Sequence, residues 1–319
     1  MTQPDSVICT LFEGNYHYGV AALVNSVYHN GYRGDIFAGY KGTLPFWAIN
    51  TDSSLSEIWK GATTIHPANG LRIHFLPVET DWHLNNYKPD FMLSLKAKFP
   101  ELVRNLFYFD PDIIIKYEWL FFEKWVGYGV TLVHELVAVA LPPTHPVRRE
   151  WEEMLVRSKR TVHRDLYSGI NGGFCGVNKN DFDFLQTWSD IIHESIKCYN
   201  LNPREFKQPH QKYIFQFADQ DALNITAMCY NYAISEMGPD AMDFVQTGWR
   251  AMSHATGSPK PWNKNFFLSC IRGFPPRLAE KAYWANTSGP IKMHSYAYIK
   301  FKQFWILCTA FIGRFYSRY

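Results

Sequence analysis

The chain has no Cys-x-x-C pair. Its six cysteines, Cys9, Cys175, Cys198, Cys229, Cys270 and Cys308, are scattered, so neither a zinc ribbon nor a disulfide framework is indicated. Reduced thiols, as in the cytosol, are the expectation. The segment from Met1 to Ser6 lacks the basic and apolar regions of a secretory leader, so the Asn-x-Ser/Thr matches at Asn224 and Asn286 read as fortuitous. No apolar run is long enough to span a bilayer. Excess charge is missing too: 32 Lys plus Arg stand against 29 Asp plus Glu, which gives no general case for a nucleic-acid partner. With 47% apolar residues among 319, the chain can bury one large α/β domain or two small ones.

What is present centres on Arg104-Asn-Leu-Phe-Tyr-Phe-Asp-Pro-Asp-Ile-Ile-Ile115. An apolar run of the length of a buried strand, Leu106 to Phe109, stops at two carboxylates and resumes at Ile113. Pro111 biases Asp110 toward an extended backbone, so Asp110 and Asp112 can project to the same side. Two hard oxygen ligands at a strand end suit Mg²⁺ or Mn²⁺ together with a diphosphate. A polar Asp-Pro turn after a buried strand would give the same spacing.

Around this stretch a β-α-β rhythm is visible. Val7 to Phe12, Asp35 to Tyr40, Arg72 to Val78 and Val130 to His134 read as strands. Helical patterns follow Asn15 and run over Pro89 to Phe99, Glu118 to Trp125, Pro146 to Arg160 and Asp181 to Asn200. Leu44 to Asn69 reads as a loop with some helix, and residues 238–290, rich in Pro, Gly, Trp and Ser, give no clear architecture. Trp249, Trp262 and Trp284 there suit either sugar stacking or the core. Ser168 to Val177 is glycine-rich, as where backbone approaches something closely, but it lacks the G-x-G-x-x-G dinucleotide fingerprint. Asp219-Gln220-Asp221 opens another helix, where acids also serve as caps. Late in the chain, His294 and Lys300 stand six apart among aromatics. Phe304 to Gly313 is apolar and flanked by Lys300, Lys302, Arg314 and Arg318, which suits either a docked terminal helix or a helix lying on an anionic membrane.

In this order the pieces resemble the retaining glycosyltransferases of family 8, the group containing glycogenin and bacterial lipopolysaccharide galactosyltransferases, from about Val7 to Lys300. The Asp-x-Asp motif matches Asp110 and Asp112. The late histidine that is the third metal ligand, with a phosphate-binding lysine six residues on, matches His294 and Lys300. The Asn-Tyr contacting the base resembles Asn15-Tyr16, the sugar-contacting strand resembles Asn171-Gly172-Gly173, and Asp219, Gln220 and Asp221 match an Asp-Gln-Asp segment placed at the reacting face. Lys96 stands one turn from where the family carries a donor-binding arginine. Two departures occur: Ala297 replaces a glycine, and Phe301-Lys302 replaces Pro-Trp.

The resemblance implies an α/β protein of GT-A fold, with a Rossmann-like, mostly parallel central sheet over residues 1–300. It implies a nucleotide-sugar donor, usually a UDP-sugar, a glycan or lipid-linked acceptor, and Mn²⁺ or Mg²⁺. Residues 301–319 are then a membrane-association segment holding the enzyme on the cytoplasmic face of a membrane. The competing expectation is a catalytically silent sugar-nucleotide or glycan-binding protein of the same fold.

Overall fold

The computed structural model describes residues 5–136, 140–211, 213–245, 248 and 250–315. β1 (Ser6–Glu13) passes through a 3-10 turn into α1 (His17–His29), and β2 (Asp35–Lys41) follows. The hairpin of β3 (Thr63–Ala68) and β4 (Leu71–Pro77) leads to α2 (Lys88–Lys98), β5 (Asn105–Phe109) and β6 (Ile113–Ile115). Next come α3 (Trp119–Trp125), β7 (Val130–Val133), α4 (Pro146–Arg157), β8 (Phe174–Val177), α5 (Phe182–Tyr199), α6 (Ala218–Cys229) and β9 (Ile234–Met237). The last elements are β10 (Met252–His254), α7 (Phe266–Ile271), α8 (Leu278–Ala285) and α9 (Tyr296–Ile312).

Eight strands form one sheet in the order β3-β4-β2-β1-β5-β8-β7-β9, in which β3 and β8 run against the rest. The alternation of side chains decides what each face buries. Val7, Cys9, Leu11, Leu106 and Tyr108 point into one core layer under α2, α5 and α6; Ile8, Phe12, Phe107 and Phe109 point into the other, with α1 and α3. Central strands buried on both faces carry no polar alternation, which is why β1 and β5 read as apolar runs.

The expected strands and helices fall on β1, β2, β4, β5, β7 and on α1 to α6. One segment departs from expectation. Thr63 to Ala68, expected in a loop, is an edge strand with a register shift between Ile65 and Ala68. Pro67 is tolerated there because an edge strand has one side free of ladder bonds, and the Asn69-Gly70 pair, with Gly70 at φ +73°, makes the tight hairpin.

Two features set up the end of β5. Gly19 of α1 faces Pro111 so closely that a Cβ would lie 2.2 Å from its carbonyl oxygen, so α1 and the Asp110-Pro111-Asp112 turn are packed backbone to side. Beyond that turn β6 pairs antiparallel with β10, His254 opposite Ile113, and the Ala255 amide donates to the Asp112 carbonyl at 3.1 Å. A short ladder therefore delivers residue 254 to the neighbour of Asp112. The six cysteines are all free thiols.

Candidate active site

The ends of β1 and β5, the Gly169–Gly173 approach to β8, the start of α6 and the loop after β10 surround a cleft of about 640 Å³. Asp110 and Asp112 lie on its floor. The third residue beside them is His254, whose Nε2 is 3.3 Å from Asp112 Oδ1 and 3.8 Å from Asp110 Oδ2. One ligand atom from each of the three lies within 4.8 Å of the others. Two carboxylates and an imidazole, with His254 Nδ1 buried and making no hydrogen bond among the described residues, fit a hard divalent cation such as Mn²⁺ or Mg²⁺. Gly173 is required beside it, since a Cβ there would stand 2.5 Å from the His254 ring.

Lys260 approaches the same carboxylate from the other side, its Nζ 2.5 Å from Asp112 Oδ2 and 2.9 Å from the Ala255 carbonyl. Burial disfavours ionisation of Asp112, but the charges of His254 and Lys260 outweigh it and hold its carboxyl far below the ordinary range. The Lys260 ammonium is itself held charged by Asp112 against its own burial.

The expected third ligand, His294, is not in this group. It lies sandwiched between Tyr18 and Trp284, ring centroids 5.3 and 5.4 Å away. Burial, then Lys302 and His17, keep its imidazole below its usual pKa, as suits an aromatic stack. Lys300 is exposed in the first turns of α9, over the Tyr296 ring, and lines no part of the cleft. The pair that does line it is His254 and Lys260, also six apart, with Gly257 three after the histidine and Pro261-Trp262 after the lysine. The departures at Ala297 and Phe301-Lys302 thus disappear when the motif is read forty residues earlier.

Lys96 is likewise elsewhere. Its Nζ donates to the Val103 carbonyl at 3.2 Å and faces the Phe182 ring. The basic residue of α2 at the site is Lys88, fully buried, with Nζ 2.8 Å from the Gly172 carbonyl, 2.9 Å from Asp219 Oδ2 and 3.1 Å from Asp110 Oδ1. Burial alone would neutralise this ammonium; Asp110 and Asp219 keep it charged.

The other expected residues do converge. Tyr16 lines the cleft beside Lys260, with Asn15 exposed next to it in the turn; the N-cap position of α1 is Tyr16, whose side chain makes no capping hydrogen bond. Asn171 is buried, donates to Glu135 Oε2 and accepts from the Gly173 amide. Gln220 accepts from the Gly172 amide at 3.0 Å. Asp221 accepts from Trp151 Nε1 at 2.9 Å, and burial pushes its carboxyl up to about 7 while that hydrogen bond restrains the rise. Trp249 lies outside the described residues; Trp262 and Trp284 are core, Trp262 packing edge-on against Tyr16.

Lys88→Met should destabilise the fold by about 3–5 kcal/mol, because it strands buried carboxylate charge. Urea unfolding will show this, and adding Asp219→Asn should recover part of the loss; an unchanged midpoint would reject the role. For Asp221, a folded pKa raised above the unfolded one means stability present at low pH and lost as pH rises from about 4 through about 7. Melting temperatures of Asp221→Asn relative to wild type should therefore climb across that window and level off above it. A flat difference would show that Asp221 is not held protonated.

No protein-family model and no curated protein matches the chain. Among solved structures, the apo structure of the bifunctional glycosyltransferase WbbM overlays with a TM-score of 0.54 at 13% identity, covering 94% of this chain and 52% of that one. The glycosyltransferase GlyE of Streptococcus pneumoniae TIGR4 gives a TM-score of 0.47 at 12% identity, covering 95% and 64%. This chain spans about half the length of the WbbM structure. The mixed α/β fold with its large, mostly parallel sheet is the one found in that glycosyltransferase, in agreement with the expected GT-A architecture.

Proposed function

We propose that the protein is a metal-dependent glycosyltransferase, related to family 8, that moves a hexosyl group from a nucleotide-sugar, a UDP-sugar, to a glycan or glycolipid acceptor with retention. The observation that carries the reading is the meeting of Asp110, Asp112, His254 and Lys260 on the floor of one cleft.

Transfer breaks the bond between the anomeric carbon and the diphosphate, so negative charge grows on the leaving phosphate. A divalent ion held by Asp110, Asp112 and His254 would supply Lewis-acid stabilisation of that charge. Lys260, kept charged by Asp112, adds a fixed positive charge on the same side. Tyr16 bounds the end of the cleft suited to the base, with Asn15 beside it in the turn. Lys88 turns the Gly172 carbonyl and Asp219 toward one point, where sugar hydroxyls would be held with Asn171. Gln220 and Asp221 face the remaining wall, and the exposed Tyr213 ring gives it an aromatic lip on which an acceptor sugar can lie. A catalytically silent relative would have its lesion in the altered loop around Ala297; read at His254 to Trp262 instead, the motif has Gly257, Pro261 and Trp262 in place, which favours the active reading.

Peripheral membrane attachment is part of the proposal. Among the described residues no helix is long and apolar enough to cross a membrane. Instead α9 buries a narrow stripe, Ile299, Ile306 and Thr309, and exposes Phe301, Phe304, Leu307 and Phe311. Lys300 and Arg314 flank that outer face; Arg318 lies outside the described residues. An apolar face edged by cations suits an anionic bilayer.

Screening sugar nucleotides for Mn²⁺-dependent nucleotide release is the direct test. Asp112→Asn should abolish the Mn²⁺-dependent part of UDP affinity in calorimetry, and Lys260→Ala should lower turnover by roughly 10²-fold or more while Lys300→Ala leaves it near wild type. Loss of turnover in Lys300→Ala with none in Lys260→Ala would overturn this assignment. For the membrane face, Phe304→Glu/Leu307→Glu should end co-sedimentation with phosphatidylglycerol vesicles without lowering the melting temperature, both residues being exposed. Full retention of vesicle binding would remove α9 as the anchor.

A further inference from the structure

A second cleft, of about 860 Å³, lies behind the loop that carries Lys260. Ser258 and Pro259 of that loop form one wall, and the Arg272–Lys281 segment, from the end of α7 into α8, forms the other. Thr256, Gly257 and Lys260 face the candidate active site, so the two clefts share a single strip of chain. Arg277 fastens the strip from behind, its Nη1 donating to the Thr256 carbonyl at 2.9 Å.

The lining is unbalanced in charge. Arg250, Lys264, Arg272, Arg277 and Lys281 are there, and Glu280 is the one carboxylate. Glu280 is fully buried and already committed: it accepts from Lys264 Nζ at 2.7 Å, from the Arg277 amide at 2.9 Å and from Arg277 Nε at 3.2 Å. Arg250 approaches Asp243 at 3.6 Å. On the rim, the side chains of Arg272 and Lys281 make no hydrogen bond or ion pair among the described residues. Arg72, Arg148, Arg160 and Arg204, by contrast, each have a carboxylate partner. Like charges gathered in a concave, partly desolvated place repel one another and focus a positive field, which an incoming anion relieves. A planar guanidinium beside an ammonium is a donor set suited to phosphate oxygens.

The surroundings narrow the anion further. Phe274 lines the cleft and is 67% exposed, and α7 exposes Phe267, Leu268 and Ile271 alongside it. The end of α9 is packed against this edge, Gly313 lying so close to Pro275 that a Cβ would meet its ring at 2.5 Å. The turn that ends α9 thus meets the edge of the basic cleft, where α7 exposes its apolar side chains.

We infer that this second cleft binds the phosphate head group of an anionic amphiphile, with its chains lying along α7 and α9. The same chemistry could come from a bilayer lipid or from a lipid-linked acceptor. The inference extends the membrane-facing reading of α9, and its test leaves α9 and the transfer site intact. Calorimetry with monomeric dioctanoyl phosphatidylglycerol should show saturable binding that Arg272→Gln/Lys281→Gln weakens at least about tenfold. Lys159→Gln/Lys179→Gln, which removes equal charge from a distant exposed region, should not weaken it. If binding to phosphatidylcholine vesicles doped with phosphatidylglycerol falls in step, the source is the bilayer; if only the monomeric lipid is lost, the source is a free amphiphile. Unchanged affinity in the cleft variant, equal loss in the control, or inorganic phosphate binding as tightly as the lipid would each overturn the inference.

Discussion

One buried ammonium holds the site together. Lys88 is the first residue of α2, where a positive charge opposes the helix dipole, and it is removed from water; both effects disfavour it. It is stable there because three acceptors reach it from three elements: Asp110 at the end of β5, the Gly172 carbonyl before β8, and Asp219 in the first turn of α6. Removing any one leaves the others over-charged or under-bonded. The ammonium therefore fixes the Asp110-Pro111-Asp112 turn, the Gly172 segment and the start of α6 relative to one another. Tyr108, donating to Asp110 Oδ1 at 2.9 Å, and the Asp110 amide, donating to the Gly173 carbonyl, finish the same corner.

The opposite wall is built on less. His254 arrives on a three-residue ladder with β6, and Lys260 reaches Asp112 across a loop whose turn depends on Gly257 at φ +77°. Left-handed backbone of that kind favours glycine, and it marks what the loop must do: leave β10, cross in front of the carboxylates and return. Electrostatics then links the walls, since Asp112 is the shared partner of His254 and Lys260.

This explains what could be read from the sequence. The strand-end pair Asp110 and Asp112 was legible because charge interrupts an apolar run, and burial ends where it should; so were β1, β2, β4 and the amphipathic helices. The edge strand β3 was obscured by Pro67, a residue that edges tolerate. His254 and Lys260 were present with Gly257, Pro261 and Trp262 but stand in a stretch without periodicity, while the same His and Lys spacing recurs at 294 and 300. Structure separates the two by backbone: Ser295 caps α9, so the residues after His294 wind into a helix and cannot form the crossing loop. Lys88 gave no local signal, because its partners Asp110, Gly172 and Asp219 all lie far along the chain, the latter two 84 and 131 residues away.

The C-terminal helices follow from the need to brace that loop. Asn25 of α1 donates to the carbonyls of Asn286 and Ile291 and accepts from the Ile291 amide, which ties the segment after α8 to the main body. From there α8 offers Glu280 to Lys264 and Arg277, and Arg277 holds Thr256. A residue with no contact to the cleft thus governs the loop that carries Lys260. The cost of this arrangement is an outer helix, α9, that covers α7 and α8 with only a narrow stripe of its own surface. Phe301, Phe304, Leu307 and Phe311 face outward instead, with Lys300 and Arg314 exposed at the two ends of the helix.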